Sequence, residues 1–539
     1  MLKKKIQNLV KKSIRNLQEK GVFPKFKIPE ILIWTPKQEE FGDYTTNIAI
    51  ATAKEMKKEP VKIAQVLRDE IIKANKKVFA KIDVLNGFIN FFISDQYLQK
   101  QIKEILKKKE KFGELKIGKG EKVNVEFISA NPTGPLTIGN LRGGFFGDVL
   151  ANVLEKSGYK VTREYYINDT GEQIKKLGHS VLNDSFAVYK GEYILDLRKR
   201  LLKDKSKKLS PEVIGKKASK IILKEMIKPV VEKEMKVKID VWFSEESLYK
   251  SGQVKEVLKI LEGKNLVYEK ENALFFKSSA FGDDKDRVLI KKDKSPTYFL
   301  SDLAYLRNKI KRGFKKLIFI WGADHAGYIA RIKAGAVVFG LKPEQVKVII
   351  YQLVSLLRNG KQVRMSKRKG IFVTCKELID EVGLDSARFF FLTKSANTHL
   401  VFDLENAKKK AKENPIFYIQ YANARICSIL RKINPKAKNR IEEGVKKLNL
   451  LSHPKELALI KHLLKFPEVI EECSKDFQVH RICEYTFELA DKFHKFYESC
   501  KVISKDDDLT QARLALLFAT KIILKNSLNL MGISAPSKM

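Results

Sequence analysis

Apolar and polar residues alternate through Val123, Val125 and Phe127, the period-two pattern of a half-buried strand. Asn131-Pro132 and Gly134-Pro135 then forbid both helix and ladder, and helical spacing resumes from Ile138 to Lys156, closed by Gly158. "KVTREYYIN" reads as the next strand, completing a βαβ unit. A second unit follows at "KLIFIWG", a helix from about Ala326 to Phe339 closed by Gly340, and "KVIIYQL". Two such halves predict a doubly wound parallel sheet that binds ligands at the carboxyl ends of its strands.

The flanks carry different patterns. Residues 1–115 combine an amphipathic basic helix, the polar turn "EEFGDYTTN", an amphipathic helix near 61–75 and the strand-like "IDVLNGFINFFIS", which predicts a small α+β domain. The lysine-rich "KEILKKKEKFGELKIGKGEK" reads as an exposed helix end and solvated connector. Residues 116–400 form the α/β domain, with a helical insertion at about 170–283; beyond Asp403 only helical periods appear, so 401–539 reads as an all-α bundle.

Charge changes this picture more than composition does. Hydrophobic residues make up 44%, enough for packed cores, but 105 Lys and Arg face 64 Asp and Glu, a formal +41. An excess of that size predicts a polyanionic partner, nucleic acid or an anionic membrane surface. No apolar run approaches the roughly 18 residues a membrane helix needs, and the first residues lack a signal peptide's apolar core, so the expected compartment is the cytoplasm. Cys375, Cys427, Cys473, Cys483 and Cys500 form no C-x-x-C pair, and the histidines form no metal-binding helix, so no metal site is expected.

Candidate chemistry sits at two places. A strand, a glycine-bearing turn and a helix opening at Ile138 leave backbone N–H groups converging on one spot, where phosphate binds well. Far downstream, "NGKQVRMSKRKGIFVT" places Arg364, Lys367, Arg368 and Lys369 around Met365 and Ser366, the positive charge that triphosphate chemistry needs as charge develops on phosphoryl oxygens. Either element alone is commonplace, a tight connection or a solvated basic loop; their combination in one fold is what points to a nucleotide.

In these places "GPLTIGN" and "RMSKR" resemble the HIGH and KMSKS motifs of class I aminoacyl-tRNA synthetases. "VEFISANPTGPL", "LRGG", "TYFLSDLAY", "WGADHAGY" and "LIDEVGLDSARFFFL" resemble arginyl-tRNA synthetases in particular. "FGDYTTNIA" and "GFINFFI" are similar to that family's N-terminal domain, and "NPIFYIQYANARICSIL" and "LMGISAPSKM" to its anticodon-binding bundle, so the likeness spans nearly the whole chain in order.

The resemblance implies that L-arginine and ATP, with Mg2+ on the nucleotide, give arginyl-adenylate and pyrophosphate, and that arginine then passes to the terminal adenosine of tRNA-Arg, activation itself requiring the tRNA. Neither step uses a protein nucleophile, so catalysis rests on positioning and charge stabilisation. By the same resemblance, Pro135, Thr137, Gly139, Asn140, Met365, Ser366 and Lys367 hold ATP, and Lys367, Asn140, Thr137 and Arg364 carry catalysis. Glu126, Ser129, Asn131, Tyr298, Asp302, Asp324 and His325 line the arginine pocket, where carboxylates match the donor fork of a guanidinium. Glu126 has a bland alternative as a surface strand residue, Asp302 as an exposed helix carboxylate, and Asp324 and His325 as helix-capping residues. Tyr418, Tyr421, Asn423 and Arg425 share one helix suited to anticodon bases, the rival reading being that the tyrosines are core. The implied N-terminal domain contacts the tRNA elbow, and the implied state is a monomer.

Two departures matter. Thr137 and Asn140 stand where HIGH has histidines, a pattern that tryptophanyl-tRNA synthetases also carry, and both can still donate hydrogen bonds. Arg364 replaces the first lysine of KMSKS and keeps its charge. A catalytically silent RNA-binding relative and a class I synthetase for another amino acid therefore stand as alternatives, the second opposed by Glu126 and Asp302.

Overall fold

The computed structural model describes residues 1–74, 77–203, 209–363, 373–433 and 437–539. At its centre five strands, β1 (Lys122–Glu126), β2 (Lys160–Ile167), β3 (Val241–Ser244), β4 (Lys316–Gly322) and β5 (Val346–Tyr351), run in the order β5-β4-β1-β2-β3. All neighbouring pairs are parallel, β1 pairing Val123 with Lys316 of β4 and Lys122 with Lys160 of β2. Strand order reverses between β1 and β4, which opens a crevice at their carboxyl ends.

Strand β1 is buried on both faces, not half-buried as its alternation predicts: Asn124 and Glu126 are enclosed along with Val123 and Val125. Central parallel strands are covered by helices on both sides, and the polar members survive there because a buried lysine meets them. Helix α1 (Ile138–Lys156) lies against this strand through small residues. A Cβ on Gly147 would come 2.3 Å from the Phe127 ring, and one on Gly144 2.4 Å from Met235, so these glycines permit close packing.

The insertion departs from the all-helical expectation. After helices Glu172–Leu182, Glu192–Leu201 and Pro211–Ile222 the chain returns to the main sheet as β3, then builds an antiparallel sheet from Val267–Lys270, Ala273–Phe276 and Arg287–Ile290. Strands of four residues are too short for periodicity to reveal. In the second βαβ unit a 3-10 turn spans Ala323–Tyr328 and the helix begins at Ile329, later than expected. Helix α2 (Tyr298–Lys311) packs on the other side of the cleft. The last strand, Leu400–Asp403, pairs parallel with Val354–Arg358, so the expected boundary at 400/401 falls inside a strand of this region.

The N-terminal region sets helices Leu2–Glu19, Ile48–Met56 and Pro60–Ala74 against a three-stranded antiparallel sheet. The expected helix end is the close of the helix Asp95–Lys108, followed by a short 3-10 turn at Lys109–Lys111 and irregular chain to the first strand of the main sheet; upstream, Leu98, Ile102 and Ile105 form a buried stripe against the C-terminal helices, hidden in the sequence by the lysines on the opposite face. The bundle consists of α3 (Pro415–Lys432) with Pro454–Asp476, His480–Ser499 and Asp507–Leu530. Tyr44 donates to Glu468 at 3.0 Å and Asp43 pairs with Lys461 at 2.7 Å, docking the N-terminal region on the bundle. Among the described residues no helix is long and apolar enough to cross a membrane.

Candidate active site

The site begins with strain at the end of β1. Ile128 and Ser129 adopt φ of 67° and 38°, a region that L-residues, and β-branched ones above all, occupy only when surroundings enforce it. The bend brings the Ser129 hydroxyl 3.4 Å from Glu126 Oε1, and Ser129 Oγ itself accepts from the Tyr166 amide at 3.0 Å. Asn168 donates to Asn131 Oδ1 at 2.7 Å, fixing the next segment.

Thr137 is the N-cap of α1. Its amide donates to Asn140 Oδ1 at 2.9 Å and its hydroxyl reaches the same atom at 3.3 Å. Asn140 thereby caps the helix through its carbonyl, while its Nδ2 donor has no partner among the described residues. An added Cβ on Gly139 would meet only Thr137 Oγ1, at 3.9 Å, so the backbone there opens onto free space.

Arg364, Met365, Ser366 and Lys367 lie outside the described residues. Their flanks do not: Val363 closes the hairpin on Leu356, and Val373 accepts the Ile138 amide at 3.3 Å. Thr374 bridges Thr137, and the Cys375 amide donates to Leu136 at 2.9 Å. The chain leaving the basic segment is stitched to the turn that opens α1.

A cleft of about 710 Å³ at the carboxyl ends of β1 and β4 unites Glu126, Ser129, Asn131, Thr137, Gly139 and Asn140 with Tyr298, Asp302, Asp324 and His325. Pro135 belongs to the turn but does not line the cleft. Asp324 and His325 sit exposed at the rim, 3.5 Å apart. Tyr298 is 47% exposed, and its hydroxyl accepts from the Glu172 amide at 3.0 Å, joining α2 to the insertion.

The acids of this cleft fall into two kinds. Glu126 Oε2 lies 2.7 Å from the fully buried Lys309 ammonium, which also pairs with Glu164 at 3.3 Å. Burial alone would raise Glu164, yet Lys309 and Arg312 hold it down at about 2. Asp302 accepts from Tyr328 Oη at 2.6 Å and has no cation within ion-pair distance among the described residues. Burial pushes its carboxyl up to about 7 against that hydrogen bond, and the charge of Glu126 adds to the rise. Glu245 is an acid that motif reading missed. It opens the short helix after β3, is 1% exposed, accepts from Ser301 at 2.8 Å through Oε1, and leaves Oε2 without a partner. Burial, with Asp302 and Asp169 nearby, raises it to about 8. Recognising "VWFS" as a strand would have marked Glu245 as an acid at a strand's carboxyl end.

On α3 the four expected RNA-contacting residues separate. The Tyr418 ring lies tilted against His494 with centroids 4.4 Å apart, and Arg425 lies exposed over Tyr421 and Tyr497 at 5.7 and 5.1 Å. Asn423 is 2% exposed and donates to the Pro536 carbonyl at 2.8 Å, tying down the C-terminal tail.

A nucleotide-type turn at the switch point of a doubly wound sheet, joined to a downstream basic segment, is the architecture of a class I aminoacyl-tRNA synthetase, and residues 101–428 match the family model described as tRNA synthetases class I (R), catalytic domain. Residues 4–93 match the arginyl tRNA synthetase N terminal domain and 419–539 the DALR anticodon binding domain. Arginine–tRNA ligases of Acetivibrio thermocellus and Bacillus licheniformis are 41% and 44% identical to the chain, over 100% and 99% of it and 99% of each relative. The chain belongs to the arginyl-tRNA synthetase family. The structure titled Thermus thermophilus arginyl-tRNA synthetase covers 100% of both chains with a TM-score of 0.77 at 22% identity, a likeness of fold.

Proposed function

We propose that this cleft activates L-arginine with ATP and passes it to tRNA-Arg, the chain acting as an arginine–tRNA ligase. The observation that carries the arginine assignment is the pair Asp302 and Glu245: two desolvated carboxyls without a cation among the described residues, sharing a cleft with a phosphate-type helix N-terminus. A carboxylate pair presented to a dry pocket fits a guanidinium and rejects a neutral side chain, which would leave both acids unmatched.

In this reading the amides at the start of α1, with Thr137, Gly139 and the free Asn140 donor, receive the triphosphate, and Lys367 and Arg364 neutralise charge on the leaving pyrophosphate. Lys367 is six residues before Val373, a span of at most about 20 Å, so the basic side chain is within reach of the turn. Mg2+ enters with the nucleotide and spreads its phosphate charge. Glu126, Ser129 and Asn131 take the α-ammonium, because that group is bonded next to the carboxylate that must attack the α-phosphate, and these residues belong to the segment running into the turn. Tyr298 closes the wall between α2 and the insertion, with Asp324 and His325 at the mouth; Pro135 shapes the turn from behind. The arrangement supplies orientation and charge, as the reaction requires.

For the RNA we assign Tyr418, Tyr421 and Arg425 to base stacking on the bundle. A groove of about 770 Å³ lined by Lys4, Lys5, Lys108, Lys111, Lys116 and Lys119 supports phosphate contacts near the N-terminal region. We further infer a monomer from the family resemblance, and a cytoplasmic protein with functional divisions near 115 and 400 from the patterns along the chain. The test is ATP–pyrophosphate exchange and aminoacylation with each amino acid, with and without tRNA-Arg. Exchange is expected with arginine and no other amino acid, and with tRNA-Arg present; exchange with a neutral amino acid, or none despite tRNA binding, rejects the proposal.

A further inference from the structure

Arginine has a cation at each end, and a cleft holding three equivalent carboxylates could bind it backwards. One side chain removes that equivalence. Lys309 lies seven residues along α2 from Asp302 and is 0% exposed. Its ammonium meets Glu126 Oε2 at 2.7 Å and Glu164 Oε1 at 3.3 Å and donates to Asn124 Oδ1, while the rings of Tyr305 and Phe319 stand 4.3 and 4.7 Å away. Fully buried lysines are rare, and an apolar replacement of such a cluster is commonly as stable as the ions it removes, so packing alone gives no reason for Lys309. What the lysine does that an apolar residue cannot is hold Glu126 by one oxygen, with the Tyr305 hydroxyl beside the carboxylate, and leave Oε1 to the cleft, where the Ser129 hydroxyl lies 3.4 Å away.

We propose that Lys309 is a positioning residue that sets the direction in which arginine binds: it offsets and pins Glu126 for the α-ammonium, so that the uncompensated Asp302 and Glu245 take the guanidinium. The proposal rests on the arginine reading of the cleft. Arg312, which donates to both oxygens of Glu164, completes the balance by leaving Lys309 free to serve Glu126.

The experiment compares two ligands in ATP–pyrophosphate exchange with tRNA-Arg present: L-arginine as substrate, and 5-guanidinopentanoate, which lacks the α-amino group, as competitor. In Lys309→Met the KM for L-arginine is expected to rise at least about tenfold, the scale of breaking a buried charge pair, while the competitor's inhibition constant changes less than about threefold. Lys309→Arg should recover most of the loss. A parallel loss for both ligands means that Lys309 merely holds the cleft together, and no loss means that it does not touch recognition; either overturns the proposal. Should Lys309→Met fail to fold, Lys309→Gln, which keeps a donor toward Asn124 and Glu126, goes through the same comparison. Failure of the wild-type protein to use arginine at all would show before any variant is made, and would reject the reading of the cleft instead.

Discussion

The cleft and the first helix of the bundle treat their polar groups in opposite ways. In the cleft Asp302 has no cation, Glu245 Oε2 has no donor and Asn140 Nδ2 has no acceptor among the described residues. On α3 most of the corresponding groups are engaged: the Asn423 amide nitrogen donates to Pro536, although its buried Oδ1 has no partner among the described residues, the Tyr418 ring lies tilted against His494, and Arg425 covers Tyr421. A buried polar atom left unmatched costs about 1–3 kcal/mol, more for a charge, and a fold keeps such a cost where a ligand offsets it. Groups already matched inside the molecule contribute first to its own stability. The difference separates carboxyls that lack a cation from groups that pack on one another and, at Tyr418, Tyr421 and Arg425, keep surface for RNA.

The largest effect expected from breaking this contrast is at Asp302. Asp302→Asn should lower arginine-dependent exchange by about a hundred- to a thousandfold, the loss of one partner from a desolvated charge pair, with ATP affinity unchanged in equilibrium binding. An equal loss of ATP binding would show that Asp302 supports the whole cleft.

The pH dependence comes next. Asp302 and Glu245 are raised to about 7 and 8, so their neutral forms are favoured by the fold. Stability from these groups is fully present below the ordinary carboxylate pKa and is lost as pH rises through 7 to 8. Melting of the free protein should therefore fall between about pH 4.5 and 8, whereas stabilisation by arginine, which needs the anions, should grow over the same interval and level off above it. Thermal melts with and without arginine check both signs. A ligand effect that shrinks with rising pH contradicts the assignment.

Gly139→Ala separates the nucleotide end from the acids. Space around Gly139 is open, and alanine is the better helix former by about 1 kcal/mol, so stability should hold or rise slightly while the KM for ATP increases several-fold. The smallest effect lies on α3: Asn423→Ala, which frees the Pro536 carbonyl but also removes the unmatched Oδ1, should lower stability by at most about 1 kcal/mol, read as a drop in the melting midpoint. Its arginine KM should stay unchanged.

Much of this was legible in the chain, and for identifiable reasons. The βαβ units announced themselves through long periodic segments and glycine punctuation, and Glu126, Asn131, Thr137, Asn140, Tyr298 and Asp302 could be picked from motif context and do share one cleft. What escaped depends on contacts between distant elements. Strand β3 is four residues long, Glu245 gains its meaning only when that strand joins the sheet, and Lys309 looks like a surface lysine until α2 folds onto β1. Only the end of the helix Asp95–Lys108 was legible, because lysines that face away obscured the stripe it buries. Asn423 shared its helix with good stacking candidates, but its burial under the C-terminal tail is tertiary information.

The central claim, that Asp302 and Glu245 wait uncompensated for a guanidinium, is tested most directly by binding L-arginine and L-citrulline to the wild-type protein with tRNA-Arg at pH 8. Citrulline keeps the shape and replaces the cation by a neutral urea. The account predicts that arginine binds at least about a hundredfold more tightly, as removing a buried charge partner requires; comparable affinities for the two ligands would contradict it.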